Sequence, residues 1–104
     1  MLFDTHAHLE DEQLFPILEQ VLEDASSAGL VGITAIGTTA MTSQKCSQLA
    51  QDYRQIHAAV GIHPNHCQDA TESDWQEILA LSSRSDVVAI GETGLDRCWD
   101  YCPI

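Results

Sequence analysis

Positive charge is what this 104-residue chain has least of. Lys45, Arg54, Arg84 and Arg97 stand against sixteen acidic residues, for a formal net charge of −12. A protein that grips nucleic acid by neutralising phosphates needs a basic face, and this sequence cannot supply one. A phosphate-bearing ligand would have to be held by something else, and a bound metal ion is the obvious candidate. Long apolar runs are also missing, so no stretch reads as a membrane span. The N-terminus lacks the basic start and apolar core of a signal peptide, because Asp4, His6 and His8 interrupt it. A soluble, cytoplasmic chain is expected. The four cysteines, Cys46, Cys67, Cys98 and Cys102, form no C-x-x-C pair and match no zinc-finger spacing. Four reduced thiols are the expectation for that compartment, with a structural zinc site or a disulfide as the alternatives. No G-x-G-x-x-G follows the first strand candidate, where "THAHLEDE" stands instead, and this argues against a dinucleotide-binding Rossmann domain.

What is present alternates. Leu2 to Thr5 is a short strand candidate. From about Pro16 to Ala28, Leu18, Val21, Leu22 and Ala25 recur at helical spacing, with Pro16 suited to a first turn and Gly29 to the stop. "LVGITAIG" reads as a buried strand. Thr42 or Ser43 is positioned to cap a second helix that presents Cys46, Leu49, Ala50 and Tyr53 on one side. "IHAAVGI" is a third strand, halted by Pro64. Ser73 and Gln76 have capping-box spacing and would open a third helix with Trp75, Ile78 and Leu79 on one face. "VVAIG" is a fourth strand. The order β-α-β-α-β-α-β predicts a parallel sheet, either open and doubly wound or part of a (β/α)₈ barrel. The chain is long enough for one ordinary domain or a piece of a larger one.

The polar clusters fall at strand ends. "THAH" follows strand one, "GIHPNH" closes strand three and "GETGLD" closes strand four. In a parallel sheet those ends share one edge, the edge on which barrels build their chemistry. Alternate residues of a strand point the same way, so Asp4, His6 and His8 are expected on one face, with the two histidines about 6.6 Å apart at Cα. Imidazoles at that separation can reach one metal. Glu92, at the rim of strand four with Gly91 and Gly94 to turn the chain around it, is the natural third ligand, and a carboxylate can bridge two cations. His63 sits on the same rim, His66 is a weaker candidate, and His57, inside strand three, reads as a structural or surface residue.

"FDTHAHLED", "GIHPNH" and "AIGETGLD" together resemble the successive signatures of TatD-like metal-dependent hydrolases, often described as deoxyribonucleases, within the amidohydrolase-like TIM barrels. The resemblance runs from Leu2 to the last residue. It implies that His6 and His8 bind a divalent metal and that Glu92 ligates or bridges one or two such ions. It places His63 in the same pocket, near the scissile phosphate, as a substrate-binding and catalytic residue beside Glu92. Asp96 would have a supporting role. The implied reaction is phosphodiester hydrolysis, on DNA or another phosphodiester substrate held through the metal. Histidine ligands suit Zn, Mn or Fe, and a carboxylate-rich site could hold Mg. A whole barrel needs roughly 250 residues, so residues 1–104 are expected to be the N-terminal half, β1-α1-β2-α2-β3-α3-β4, of a single truncated barrel domain, without the later ligands and the general base.

Two other readings stay open. A related barrel hydrolase could cleave amide or ester bonds, since H-x-H after strand one also opens amidohydrolases. Alternatively, the half-barrel could be a non-catalytic metal-binding or assembly fragment. Strands one and four would each lack a partner, and the isolated chain is expected to self-associate through them.

Overall fold

The computed structural model describes residues 1–97. Strands and helices alternate through β1 Leu2–Ala7, α1 Leu18–Ser27, β2 Leu30–Ile36, α2 Ala40–Asp52, β3 Ile56–Val60, α3 Glu72–Ser82 and β4 Val87–Ile90, with 3-10 turns at Phe15–Ile17 and Pro64–Asp69. All pairings are parallel and the strand order is β1-β2-β3-β4. Spatial order thus equals chain order, and every crossover steps one strand in the same direction. A doubly wound sheet reverses direction at a switch point, whereas a (β/α) barrel does not. The expected half-barrel is the architecture found.

The helices cover one side of the sheet. Leu18 and Leu22 of α1 and Cys46 and Leu49 of α2 close over Ile33 and Ala35 of β2 and Ile56 and Ala58 of β3. Val60 packs in a second cluster with Ala40, Ile78 and Leu81. Burial pushes the Cys46 thiol up to about 12, with the charge of Glu10 adding to the effect. No helix among the described residues is long and apolar enough to cross a membrane.

Several local expectations are corrected. Pro16 lies in the 3-10 turn and α1 begins after it, at Leu18. The cap of α2 is Thr39, whose hydroxyl accepts from the Thr42 N–H, so Thr42 is the third helical residue rather than the cap. Thr71, not Ser73, caps α3, in a reciprocal box with Asp74. On α3 the buried residues are Ile78 and Leu81, while Trp75 and Leu79 are exposed. Cys67 is disulfide-bonded, where a reduced thiol was expected. Cys46 is free, and Cys98 and Cys102 lie outside the described residues.

The central strands are buried along most of their length, with Ala35, Ala58 and Val60 at 0% exposure, although Val31 near the start of β2 is 55% exposed. The outer strands are not: Leu2 is 60% exposed, Val88 57% and Ile90 56%.

Candidate metal centre

The first histidine pair depends on an irregularity in β1. Asp4 pairs with Ile33 and Ala7 with Ala35, so three residue steps on β1 match two on β2. The one extra residue is a β-bulge, which re-aims the side chains beyond it. Asp4 and Ala7 therefore share the side of the core residues Ile33 and Ala35, and His6 and His8, flanking Ala7, point the other way. Asp4 does not share their face, contrary to the simple alternation. Its carboxylate instead accepts the His6 N–H at 3.0 Å, which ties the bulge to its own strand.

Glu92 arrives from the opposite edge. Three interstrand gaps of about 4.8 Å would put β1 and β4 roughly 14 Å apart in a flat sheet. Yet Glu92 Oε1 lies 3.6 Å from His6 Nε2, and Glu92 Oε2 lies 3.4 Å from His8 Nε2. A sheet curled toward a common axis, as in a barrel, shortens that gap to side-chain reach. The backbone contributes as well: Glu92 has φ of 48°, a left-handed conformation that a non-glycine residue adopts at a cost and that clusters at functional sites. The sharp turn thus falls on Glu92 itself and on Gly94, with φ of 122°.

The ligand atoms of His6, His8 and Glu92 lie within 4.8 Å of one another. The two imidazoles meet edge to face, 5.2 Å between centroids. His8 Nδ1 is 3.0 Å from the Ile36 carbonyl oxygen. A carbonyl only accepts, so Nδ1 carries the proton and the Nε2 lone pair is left facing Glu92, the arrangement a metal ligand requires. Glu92 Oε2 is buried and has no hydrogen-bond partner. A buried carboxylate oxygen that receives no hydrogen bond and faces the His8 Nε2 lone pair is what a cation would satisfy, so this donor set fits a divalent ion.

His63 faces the same carboxylate, with Nε2 3.8 Å from Glu92 Oε1. Its Nδ1 accepts the Asn65 N–H at 3.0 Å, so the proton of neutral His63 sits on Nε2. That nitrogen is a donor toward the site, not a lone pair for a metal. Its loop is pinned from two sides. The His63 N–H donates to the Thr38 carbonyl at 2.8 Å, and the buried Ser43 hydroxyl bonds both the N–H and the carbonyl of Gly61 at 3.2 Å. Gly61 must be glycine, since a Cβ there would collide with the Gly91 carbonyl. That close approach sets the His63 and Glu92 loops side by side.

The other candidates lie outside this cluster. The His66 ring is exposed and meets His63 edge on at 6.0 Å. His57 stacks on Phe3 at 5.7 Å. Asp96 is half-buried beyond the turn and is not among the clustered ligand atoms. Two polar residues have places the sequence reading does not assign. Ser43 reads there only as a helix cap, and Glu10, whose Oε1 is 3.6 Å from His8 Nδ1, is not singled out. Its place two residues after His8 was the available signal.

Parallel βα units in barrel order, with two histidines and a glutamate gathered at the C-terminal rim, define a (β/α)-barrel segment carrying a candidate metal centre. The chain belongs to the TatD related DNase family, whose sequence model matches residues 3–103. It is 44% identical over 103 residues to the "Uncharacterized metal-dependent hydrolase YabD" of Bacillus subtilis (strain 168), covering 99% of this chain and 40% of that protein. It is 32% identical to the "3'-5' ssDNA/RNA exonuclease TatD" of Escherichia coli (strain K12), over 91% of this chain and 36% of that one. The crystal structure of YJJV, a TatD homolog from Escherichia coli K12, superposes with a TM-score of 0.87 at 32% identity, covering 95% of this chain and 39% of that chain. The chain thus spans about two fifths of the length of these relatives.

Proposed function

We propose that residues 1–104 form the N-terminal part of one barrel domain that hydrolyses phosphodiester bonds with a divalent metal, and that its substrate is DNA. The observation that carries this reading is the meeting of His6, His8 and Glu92 from opposite edges of the sheet around a buried carboxylate oxygen without a partner. His6 and His8 would hold the ion through Nε2, and Glu92 would complete the set. Two imidazoles and a carboxylate suit Zn or Mn better than Mg. When bound, such an ion polarises a phosphoryl oxygen and acidifies water. Glu92 turns Oε1 toward His6 and His63 and Oε2 toward His8, a posture from which one carboxylate can serve two ions. His63 presents its Nε2–H to a substrate oxygen, orienting the phosphate beside Glu92. The charge of −12 leaves the metal as the positive element of the site, and the relative named as an ssDNA/RNA exonuclease supports a nucleic-acid substrate. A cytoplasmic location belongs to this reading: the free Cys46 fits it, and the Cys67 disulfide does not.

Calorimetric titration of Zn²⁺ or Mn²⁺ into the wild type and a His6→Ala/His8→Ala variant tests the site. One binding event in the wild type and none in the variant is expected, and equal binding by both refutes it. Within the complete coding sequence, Glu92→Ala should abolish cleavage of single-stranded DNA. His63→Ala should slow it with metal content unchanged. Cleavage of a small amide with DNA untouched would assign the chain to amide chemistry.

A further inference from the structure

Glu10 is a puzzle on stability grounds. Its side chain is 7% exposed, and its Oε2 is buried with no hydrogen-bond partner. A carboxylate between a metal-binding histidine and the helix-packed core gives nothing to packing that an apolar side chain would not give better. What it does have is a neighbour, because Oε1 lies 3.6 Å from the same His8 Nδ1 that donates to the Ile36 carbonyl at 3.0 Å.

We propose that Glu10 is the positioning residue of the candidate metal centre: its carboxylate, buried behind His8 with Oε1 3.6 Å from Nδ1, adds negative charge to the hydrogen bond that the Ile36 carbonyl accepts, so that the proton stays on Nδ1 and Nε2 faces Glu92. The inference rests on the metal-site reading for its consequence but not for its geometry. A histidine ligand backed by a carboxylate is fixed in ring orientation and made a stronger donor to a cation, and loss of such a partner typically weakens binding about 10–100-fold. His6 has no such partner among the described contacts: its Nε2 faces Glu92 and its backbone N–H meets Asp4. The two histidines are therefore unequal, with His8 the preorganised one.

The test uses the 104-residue chain as Glu10→Met and Glu10→Gln variants, with three readouts. Long-range ¹H–¹⁵N spectra of the metal-free chain report the His8 tautomer. Wild type should be the Nδ1–H form, Glu10→Met a mixture, and Glu10→Gln, which keeps an acceptor, close to wild type. Calorimetry with Zn²⁺ should show at least a tenfold loss in Glu10→Met and a smaller one in Glu10→Gln. The melting temperature of metal-free Glu10→Met should stay level or rise, which a merely structural glutamate would not allow. If Glu10→Met fails to fold, the Zn²⁺ affinity of Glu10→Gln still decides. An unchanged tautomer and unchanged affinity in Glu10→Met, or an unchanged affinity in Glu10→Gln where Glu10→Met does not fold, would overturn the proposal. A wild type that binds no metal would defeat the metal-site reading and leave the tautomer comparison to judge Glu10 alone.

Discussion

The two central strands and the two outer strands of this sheet differ in almost every physical respect. On β2 and β3, Ile33, Ala35, Ile56, Ala58 and Val60 are between 0% and 3% exposed and lie beneath helices. On β1 and β4, each with a single strand neighbour among the described residues, apolar side chains face solvent. Yet all three candidate metal ligands belong to the outer strands or their ends. The bulge, the left-handed φ of Glu92 and the unpartnered oxygens of Glu10 and Glu92 are found there too. Burial is concentrated in the centre and the candidate ligands at the edges. Binding geometry is thereby created only when the sheet curls, and the edges carry strain that the centre must hold in place.

The largest effect that would break this contrast concerns assembly. Exposed apolar edges invite intermolecular strand pairing, and the charge of −12 opposes association without removing them. Analytical ultracentrifugation of the isolated chain should show dimers or larger species, and a sharply melting monomer would mean that the edges are not the liability described here. Next in size, Ile56→Ala empties a site that is 2% exposed and should cost about 2–5 kcal/mol in denaturant unfolding. Zn²⁺ stoichiometry should remain unchanged in the fraction that folds. A smaller change separates edge from centre with the opposite sign. Glu92→Gly relieves the left-handed backbone and the buried carboxylate, so it should stabilise the fold by up to about 1 kcal/mol while eliminating metal binding. A destabilised Glu92→Gly would show that the carboxylate serves the fold.

Much of this was legible from side-chain type and period. The apolar runs of β2 and β3, the helical spacing of Leu18 and Leu22 and the rim placement of His6, His8, His63 and Glu92 all follow from sequence. The helix starts did not. "GTTAMTS" offers several hydroxyls at overlapping spacings, and the boxes that form, Thr39 with Thr42 and Thr71 with Asp74, lack the Glu or Gln that signals such a cap. The exposure of Trp75 and Leu79 was hidden because the buried face of α3 is fixed by where α2 and β4 lie, not by its own apolar count. The bulge was invisible because it is a property of the β1–β2 pairing, and no single strand shows it. Glu10 is one of sixteen acids; its place two residues after His8 marks it in the sequence, but its burial behind that histidine is a property of the fold.

The convergence of β1 and β4 on one ion is tested most directly by X-ray absorption spectroscopy of the Zn²⁺-loaded chain. The account predicts a shell of nitrogen and oxygen at about 2.0–2.2 Å, with the outer-shell scattering of two imidazoles and no sulfur. That signal should fall to one imidazole in His6→Ala. Sulfur at about 2.3 Å, or a spectrum indifferent to His6, would place the metal on the cysteines or elsewhere and contradict the account.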